Sequence, residues 1–346
     1  MKTLRTAIVG LGRIGWKYHI RQVHAHPGFT LVAGVDPLPD RLEEGRVEYG
    51  INGYLTLEEM LAKEQLDLVV IASPTAYHCQ QTIMALEAGV DVFLDKPMAA
   101  TREEAERMVD AMCRTGRKLS MFQPMRIEQY TLALREVLAE GLIGDIYHYR
   151  SVGVEFRRRN DWQSVRRMGG GLVNNGGSHT IDVMLYLSGK KVSEIYGFCK
   201  RVTAIGDAED MYEVIMKTED GAILEACSSW AAALGHSGWT ILGNRGAIQT
   251  RWNAEGGMEY LVRWYDPAEL PELALFDDPA APQRSYSNFE TIPWKEKVVP
   301  VSADPPPDFY NFVYDHYALD KPPLVPVEHT LEVMRILEVI HAGEIK

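Results

Sequence analysis

Short apolar runs alternate with helix-like stretches through the first third of the chain. Leu4–Val9, Leu31–Val35 and Leu68–Ile71 read as strands, with shorter candidates at Val92–Leu94 and Leu119–Phe122. Each is bounded by turn residues, the pattern of strands buried on both faces. Amphipathic segments of about 10–14 residues separate them. Ala76–Ala88 sets Cys79, Ile83 and Leu86 on one side and stops at Gly89, a natural C′ glycine. Thr101 opens the next helix, with Glu104 at the N3 position of a capping box. The alternation predicts βαβ units around a doubly wound parallel sheet.

After about residue 145 the pattern changes. Asp145–Phe156, Glu194–Lys200, Met211–Thr218, Ile223–Ser229 and Thr240–Leu242 read as strands, and Gly243–Gly246 is a turn leading to a strand at Ala247–Thr250. Strands that follow one another through turns predict an open, mostly antiparallel sheet. One helix interrupts them, at about Thr180–Leu187. Residues 266–307, rich in Pro, Asp and Ala, read as a long surface excursion. Two helices close the chain, Asp308–Leu319 and Val327–Ala342, the second with Leu331, Met334, Leu337 and Ile340 as a core-facing stripe. The expected architecture is therefore an N-terminal α/β unit, 1–123, and a C-terminal α+β unit, 124–346, whose last helices pack back towards the first.

Charge narrows the partners. Thirty-six basic and 48 acidic side chains leave 346 residues with a net charge of −12. Such a surface repels nucleic acid and anionic membrane, so any bound phosphate must be held locally, by backbone amides or a few arginines. Cys79, Cys113, Cys199 and Cys227 form no CxxC pair, which signals neither a zinc site nor a disulfide framework. No cluster has metal-ligand spacing. No apolar run approaches the ~18 residues needed to cross a bilayer, and the start Met-Lys-Thr-Leu-Arg runs directly into a strand, so the expected location is the cytoplasm.

Gly10-Leu11-Gly12-Arg13-Ile14-Gly15 matches G-x-G-x-x-G between a strand and a helix. In that context Gly10 allows the tight turn, Gly12 lets a pyrophosphate approach the backbone, and Gly15 lets helix pack on strand. The N–H groups that open the helix bind the anion. Asp36 ends the second strand, where a carboxylate accepts from the ribose hydroxyls and repels a 2′-phosphate. Pro37, not a basic residue, follows it, so NAD is expected over NADP.

Three further motifs lie downstream: Ala72-Ser73-Pro74-Thr75 with His78; Asp95-Lys96-Pro97; and Gly169-Gly170-Gly171 with Asn175, Gly177, His179 and Asp182. With the N-terminal turn, the chain resembles the glucose–fructose oxidoreductase and inositol dehydrogenase (Gfo/Idh/MocA) family over nearly its whole length. The resemblance implies a substrate pocket on one face of the C-terminal sheet, beside the nicotinamide, and a homodimer or homotetramer formed through the other face. By matching position, Lys96 contacts both nicotinamide ribose and substrate, Pro97 fixes its turn, and His179 is the catalytic histidine. Asn175 stands where the family usually has Asp.

The resemblance also places Ser73, Pro74, His78 and Asp95 at the cofactor, with Gln123 and Trp162 near its nicotinamide end. Arg126 and Arg157 are expected to reach substrate. Arg157, Arg158, Arg159, Arg166 and Arg167 form a basic cluster that reads either as solvated and ion-paired or as a site for an anionic substrate group. Oxidising a secondary alcohol removes a proton from oxygen and a hydride from carbon. His179 is the expected base, with Lys96 able to exchange roles with it, while Asn175 orients a hydroxyl but supplies no charge. The function implied is an NAD-dependent dehydrogenase acting on a ring alcohol, or ketone, of a sugar or cyclitol. The alternatives are an enzyme with tightly held NAD that oxidises transiently and cleaves or eliminates, and a redox-sensing NAD-binding module.

Overall fold

The computed structural model describes residues 3–273 and 291–345. Six parallel strands form the first sheet: β1 (Leu4–Val9), β2 (Phe29–Val35), β3 (Asn52–Tyr54), β4 (Leu68–Ile71), β5 (Asp91–Asp95) and β6 (Leu119–Phe122). Their order is β3-β2-β1-β4-β5-β6. The chain therefore leaves β1 in opposite directions, to β2 on one side and β4 on the other. In such sheets the crevice at the carboxyl ends of the strands, where the order reverses, is the place for a ligand.

Helices α1 (Ile20–Ala25), α2 (Pro39–Tyr49), α3 (Leu57–Lys63), α4 (His78–Glu87) and α5 (Arg102–Thr115) connect these strands. Their ends are set locally. Thr101 Oγ1 accepts from Glu104 N at 3.2 Å, and the Glu104 carboxylate reaches back to Ala100 N at 3.1 Å. Gly116 closes α5 in the left-handed conformation. The predicted capping box thus forms, with its return bond one residue earlier than the usual one.

Helix α6 (Gln129–Ala139) leads to the second sheet: β7 (Ile146–Phe156), β8 (Val192–Lys200), β9 (Met211–Thr218), β10 (Ile223–Ser229), β11 (Ala231–Gly243), β12 (Gly246–Trp252), β13 (Met258–Trp264), β14 (Lys295–Pro300) and β15 (Glu344–Ile345). Their order is β14-β13-β12-β11-β7-β10-β9-β8-β15. Only the β7–β10 and β8–β15 pairs are parallel among the described residues. Along β9, Tyr212, Val214 and Met216 are buried while Ile215 and Lys217 face out. This period of two covers one face and leaves the other open.

Two expectations change. β11 begins at Ala231, nine residues before the Thr240–Leu242 run that marks it. Its first half, Ala-Ala-Ala-Leu-Gly-His-Ser-Gly, lacks alternation and carries a register break between Ala231 and His236, so pattern alone cannot find it. The 266–307 stretch is not wholly an excursion: Lys295–Pro300 pairs with β13, while 274–290 lie outside the described residues.

Helix α7 (Ser178–Ser188) follows one π-turn at Val173–Gly177. Helices α8 (Phe309–Leu319) and α9 (Val327–Ala342) return to the first sheet. Phe309 packs edge-on against Phe122 and tilted against Phe93, Tyr310 packs edge-on against Phe93, and the Tyr310 hydroxyl donates to or accepts from His19 Nδ1 at 2.8 Å. Val333, Met334, Leu337 and Ile340 of α9 are buried, so this amphipathic face joins α5, α7 and β8.

Candidate active site

A cavity of about 1230 Å³ opens at the carboxyl ends of β1, β2 and β4–β6 and runs to the start of α7. Pockets for one small ligand are roughly 300–1,000 Å³, and this one exceeds that range. The Gly-rich turn forms one wall. Gly10 has φ +91°, and a Cβ there would lie 2.8 Å from Ser73 N. At Gly15 a Cβ would lie 1.8 Å from Gly10 O, a position only glycine can occupy. A Cβ at Gly12 would have only Arg41 Nη1, at 3.8 Å, within 4 Å among the described residues, so this backbone stands open to the cavity, as a pyrophosphate seat requires. Gly10, Gly12, Arg13, Ile14 and Asp36 all line the cavity, and the residues present fit a dinucleotide. Asp36 is buried and accepts from Leu11 N at 2.9 Å, which pins the acid to the turn.

Ser73, Pro74 and Asp95 line the middle of the cavity. His78 does not. Its Nδ1 lies 2.9 Å from Pro97 O and its Nε2 2.9 Å from Ser73 O. The ring is buried, and that burial lowers its pKa. His78 therefore ties the Ser73 loop to the Lys96 loop from beneath, which corrects the expectation of a direct cofactor contact.

The Lys96–Pro97 bond is cis. Lys96 projects into the cavity, and its Nζ donates to Asn175 O at 2.9 Å and Asn175 Oδ1 at 2.8 Å. Burial lowers the Lys96 pKa to about 8; Asp95 opposes this and Arg159 adds to it. Burial raises the Asp95 carboxyl to about 6. His179 lies on the same wall, with its pKa pushed well below 6.5 by burial and then by Lys96. The imidazole is therefore neutral at pH 7.

Gln123 does not line the cavity. Its Nε2 donates to Ser178 O at 3.3 Å, which turns its Oε1 towards His179 Nδ1 at 3.0 Å. That oxygen accepts, so Nδ1 carries the proton and Nε2 keeps its lone pair. Gln123, expected at the cofactor, instead selects the tautomer in which His179 can take a proton.

The Gly169–Gly171 run is a packing device. A Cβ on Gly169 would meet Thr75 at 2.6 Å, one on Gly170 would meet Gln163 O at 2.6 Å, and one on Gly171 (φ +112°) would meet Glu209 Oε1 at 2.0 Å. Three elements thus press on three successive glycines, and this closeness brings the π-turn up to Lys96. Glu209 supports the turn: its backbone oxygen accepts from Leu172 N at 2.9 Å and its Oε1 from Val173 N at 3.1 Å. Sequence spacing gave no sign of Glu209.

The segment between β7 and this turn forms another wall, with Arg157, Arg159, Asp161 and Trp162 on the cavity. Asp161 accepts from Arg159 at 2.5 Å and from Arg13 at 3.2 Å, joining this segment to the Gly-rich turn. Hydrogen bonding by Arg159 lowers the Asp161 pKa. Arg157 and Arg159 flank the Trp230 ring. Arg166 pairs instead with Glu344, away from the cavity.

Arg126 is the clearest departure from expectation. Its side chain is 2% exposed and holds Asp182 through two bonds, of 2.8 and 2.7 Å, while Nη1 donates to Leu324 O at 2.8 Å. Its guanidinium lies 4.9 Å from the Tyr186 ring centroid. These contacts turn it away from the cavity and tie α7 to the approach to α9.

Chemically, the cavity offers an anion seat at one end and an amine with a weakened proton beside a neutral imidazole at the other. No group of three or more His, Cys, Asp or Glu among the described residues could hold a metal. No described helix is long and apolar enough to cross a membrane.

Two family models match the chain: "Oxidoreductase family, NAD-binding Rossmann fold" over residues 4–123, and "GFO/IDH/MocA C-terminal domain" over 131–249. A D-glucoside 3-dehydrogenase of Escherichia coli is 30% identical over 54% of this chain and 54% of its own length. A scyllo-inositol 2-dehydrogenase (NAD(+)) of Bacillus subtilis is 26% identical over 71% of this chain and 73% of its own. Against the first of these, the match spans about half of the relative. In fold, the chain is similar to the WlbA dehydrogenase of Bordetella pertussis, solved with NADH and UDP-GlcNAcA, at TM-score 0.78 and 23% identity, covering 99% of this chain and 96% of that one. The two matched regions together take in more than half of the sequence, and the chain belongs to the Gfo/Idh/MocA family of NAD-binding oxidoreductases.

Proposed function

We propose that this protein moves a hydride between a nicotinamide dinucleotide and a ring secondary alcohol or ketone of a sugar or cyclitol. Residues 1–123 hold the dinucleotide and 124–346 supply the substrate side. The observation that carries the reading is the meeting, in one cavity, of Lys96 and His179 at the far end from the glycines of the N-terminal turn. The names of the glucoside and inositol dehydrogenase relatives support the substrate class.

In this reading Gly10, Gly12, Arg13 and Ile14 seat the pyrophosphate, Asp36 takes the adenosine ribose, and Ser73, Pro74 and Asp95 bound the middle. Trp162 and Arg157 close the substrate end. The dinucleotide supplies the hydride acceptor. His179 Nε2 accepts the hydroxyl proton, because Gln123 keeps the proton on Nδ1. Lys96, with a proton bound more weakly than in an ordinary lysine, polarises the substrate oxygen and can exchange that task with His179. General-base help of this kind is worth about 10²–10⁴-fold. Asn175 holds the ammonium in place with two neutral oxygens. The open face of the nine-stranded sheet, which exposes Tyr196 and Ile215, pairs with a second copy of the chain in a homodimer or homotetramer.

Aldoses, inositols, anhydrosugars and uronates are offered in turn with NAD and NADP, and the absorbance of the reduced dinucleotide is followed. Accumulation of NADH with one of them is the expected result. Conversion of a glycoside without accumulation indicates transient oxidation on a retained cofactor. Binding of dinucleotide with no conversion, unchanged in Lys96→Ala and His179→Ala, indicates a sensing module.

A further inference from the structure

We propose that Arg41 decides how this site treats the 2′ position of the dinucleotide, and that it admits the 2′-phosphorylated form alongside NAD. The inference rests on the dinucleotide reading and deepens it.

Both oxygens of Asp36 already accept hydrogen bonds. Oδ2 takes Leu11 N at 2.9 Å and Arg41 Nη1 at 3.1 Å; Oδ1 takes Leu38 N at 3.0 Å and Arg41 Nη1 at 3.4 Å. A carboxylate offers about four lone-pair positions, and three donors already face these two oxygens: Leu11 N, Leu38 N and Arg41 Nη1, the last shared between both. A ribose that donates to Asp36 must therefore replace one of them. Leu11 and Leu38 donate through the backbone of the Gly-rich turn and of the α2 approach, and those N–H groups cannot leave without unmaking both. Arg41 is the movable donor: it reaches Asp36 on a flexible stem, and its side chain is 41% exposed.

The displaced guanidinium stays where it matters. Arg41 lines the cavity, and its Nη1 is the one atom among the described residues within 4 Å of where a Cβ on Gly12 would stand. Its departure point is thus the wall between the pyrophosphate seat and the ribose acid. An unpaired Asp36 there would repel a 2′-phosphate. Arg41 cancels that charge and presents a planar fork suited to phosphate oxygens. Glu58 is a further acidic lining residue, contributed by the first turn of α3, and adds to the repulsion that Arg41 offsets. The residue that follows Asp36 in sequence, Pro37, carries no charge. The cation comes five residues on, from the first turn of α2, and only the fold returns it to the acid.

The test needs no substrate. Dissociation constants of NAD and NADP are measured by calorimetry for the wild type, Arg41→Ala and Arg41→Lys. The wild type is expected to bind both within about 10-fold of each other, since one charge-assisted contact offsets one repulsion. Arg41→Ala is expected to weaken NADP by about 10–100-fold and to leave NAD as tight or tighter. Arg41→Lys, which keeps the charge but not the fork, is expected to fall between. Equal loss of NAD and NADP in Arg41→Ala, with Arg41→Lys no better than Ala, overturns the proposal, as does a wild type that refuses NADP. If the wild type binds neither dinucleotide, the cofactor reading itself fails, and that outcome differs from selective failure at Arg41.

Discussion

Lys96 Nζ is held by both oxygens of Asn175, backbone at 2.9 Å and side chain at 2.8 Å, across 79 residues of sequence. Neither oxygen carries a full charge, so nothing at this contact offsets the burial that lowers the Lys96 pKa to about 8. Asn175→Asp places a carboxylate in the same spot, which favours the ammonium form. The lysine pKa is expected to rise by about 1–2 units. Where alcohol oxidation needs the free amine, activity rises as Lys96 loses its proton, so the acidic limb of kcat/KM moves to higher pH by the same amount. A pH–rate profile of the two proteins checks this, and an unmoved limb would separate Lys96 from the proton chemistry.

Gln123 governs which nitrogen of His179 bears the proton. Gln123→Leu removes the acceptor for Nδ1–H and puts an apolar side chain of similar volume in its place. A hydrogen bond of this kind contributes about 0.5–1.5 kcal/mol, so kcat is expected to fall by about 2–10-fold. KM for the dinucleotide should hold, because Gln123 is not on the cavity wall. Nitrogen NMR of the labelled imidazole gives an independent reading: a single Nδ1–H tautomer in the wild type and a mixture in the variant.

These two contacts also show where sequence reading stops. The strands β1, β4 and β6 coincide with their apolar runs because every residue in them but Arg5 is buried. The Gly-rich turn and Asp36 were legible because each needs a particular residue type at a fixed offset from a strand. Arg126, Gln123 and His78 were not. Each was placed near the site by its position in chain order, yet its role depends on side-chain direction. Arg126 turns to Asp182, Gln123 to His179, and His78 to two carbonyls, all settled by packing between segments far apart in sequence. Glu209 left no signal at all, since an acid in the loop before a strand normally faces water.

Arg126 yields a stability prediction where sequence suggested a substrate contact. Arg126→Ala leaves Asp182 buried beside an unfilled space, and breaking such a pair from one side costs about 3–5 kcal/mol. Burial raises the Asp182 pKa, but its bonds to Arg126 and His329 outweigh that and keep it lowered, so the lone variant strands a charge. Joint replacement, Arg126→Met with Asp182→Leu, is expected to recover most of the loss. Denaturant melts of the three proteins test the ordering. Dinucleotide affinity of whatever fraction folds should match the wild type.

Glu209 predicts how stability changes with pH. Burial raises its carboxyl from 4.5 to about 7, against the opposing effects of backbone bonds and Arg166. Oε2 lacks a hydrogen-bond partner among the described residues, which is tolerable for a protonated acid and costly for a carboxylate. The sign follows from linkage: between about 4.5 and 7 the folded chain keeps a proton that the unfolded chain has released. The contribution is thus fully present below 4.5 and lost as pH rises through 7, by an amount on the order of 3 kcal/mol. Asp95 moves in the same direction, with a folded pKa of about 6, and Lys96 in the opposite one above about 8. The informative quantity is therefore the difference between Glu209→Gln and the wild type. Gln keeps the oxygen that accepts from Val173 N and cannot ionise. The variant is expected to gain on the wild type steadily from pH 5 to pH 8, with Tm values crossing inside that window. A flat difference across it would mean that Glu209 is ionised throughout and that Arg166 compensates the buried charge.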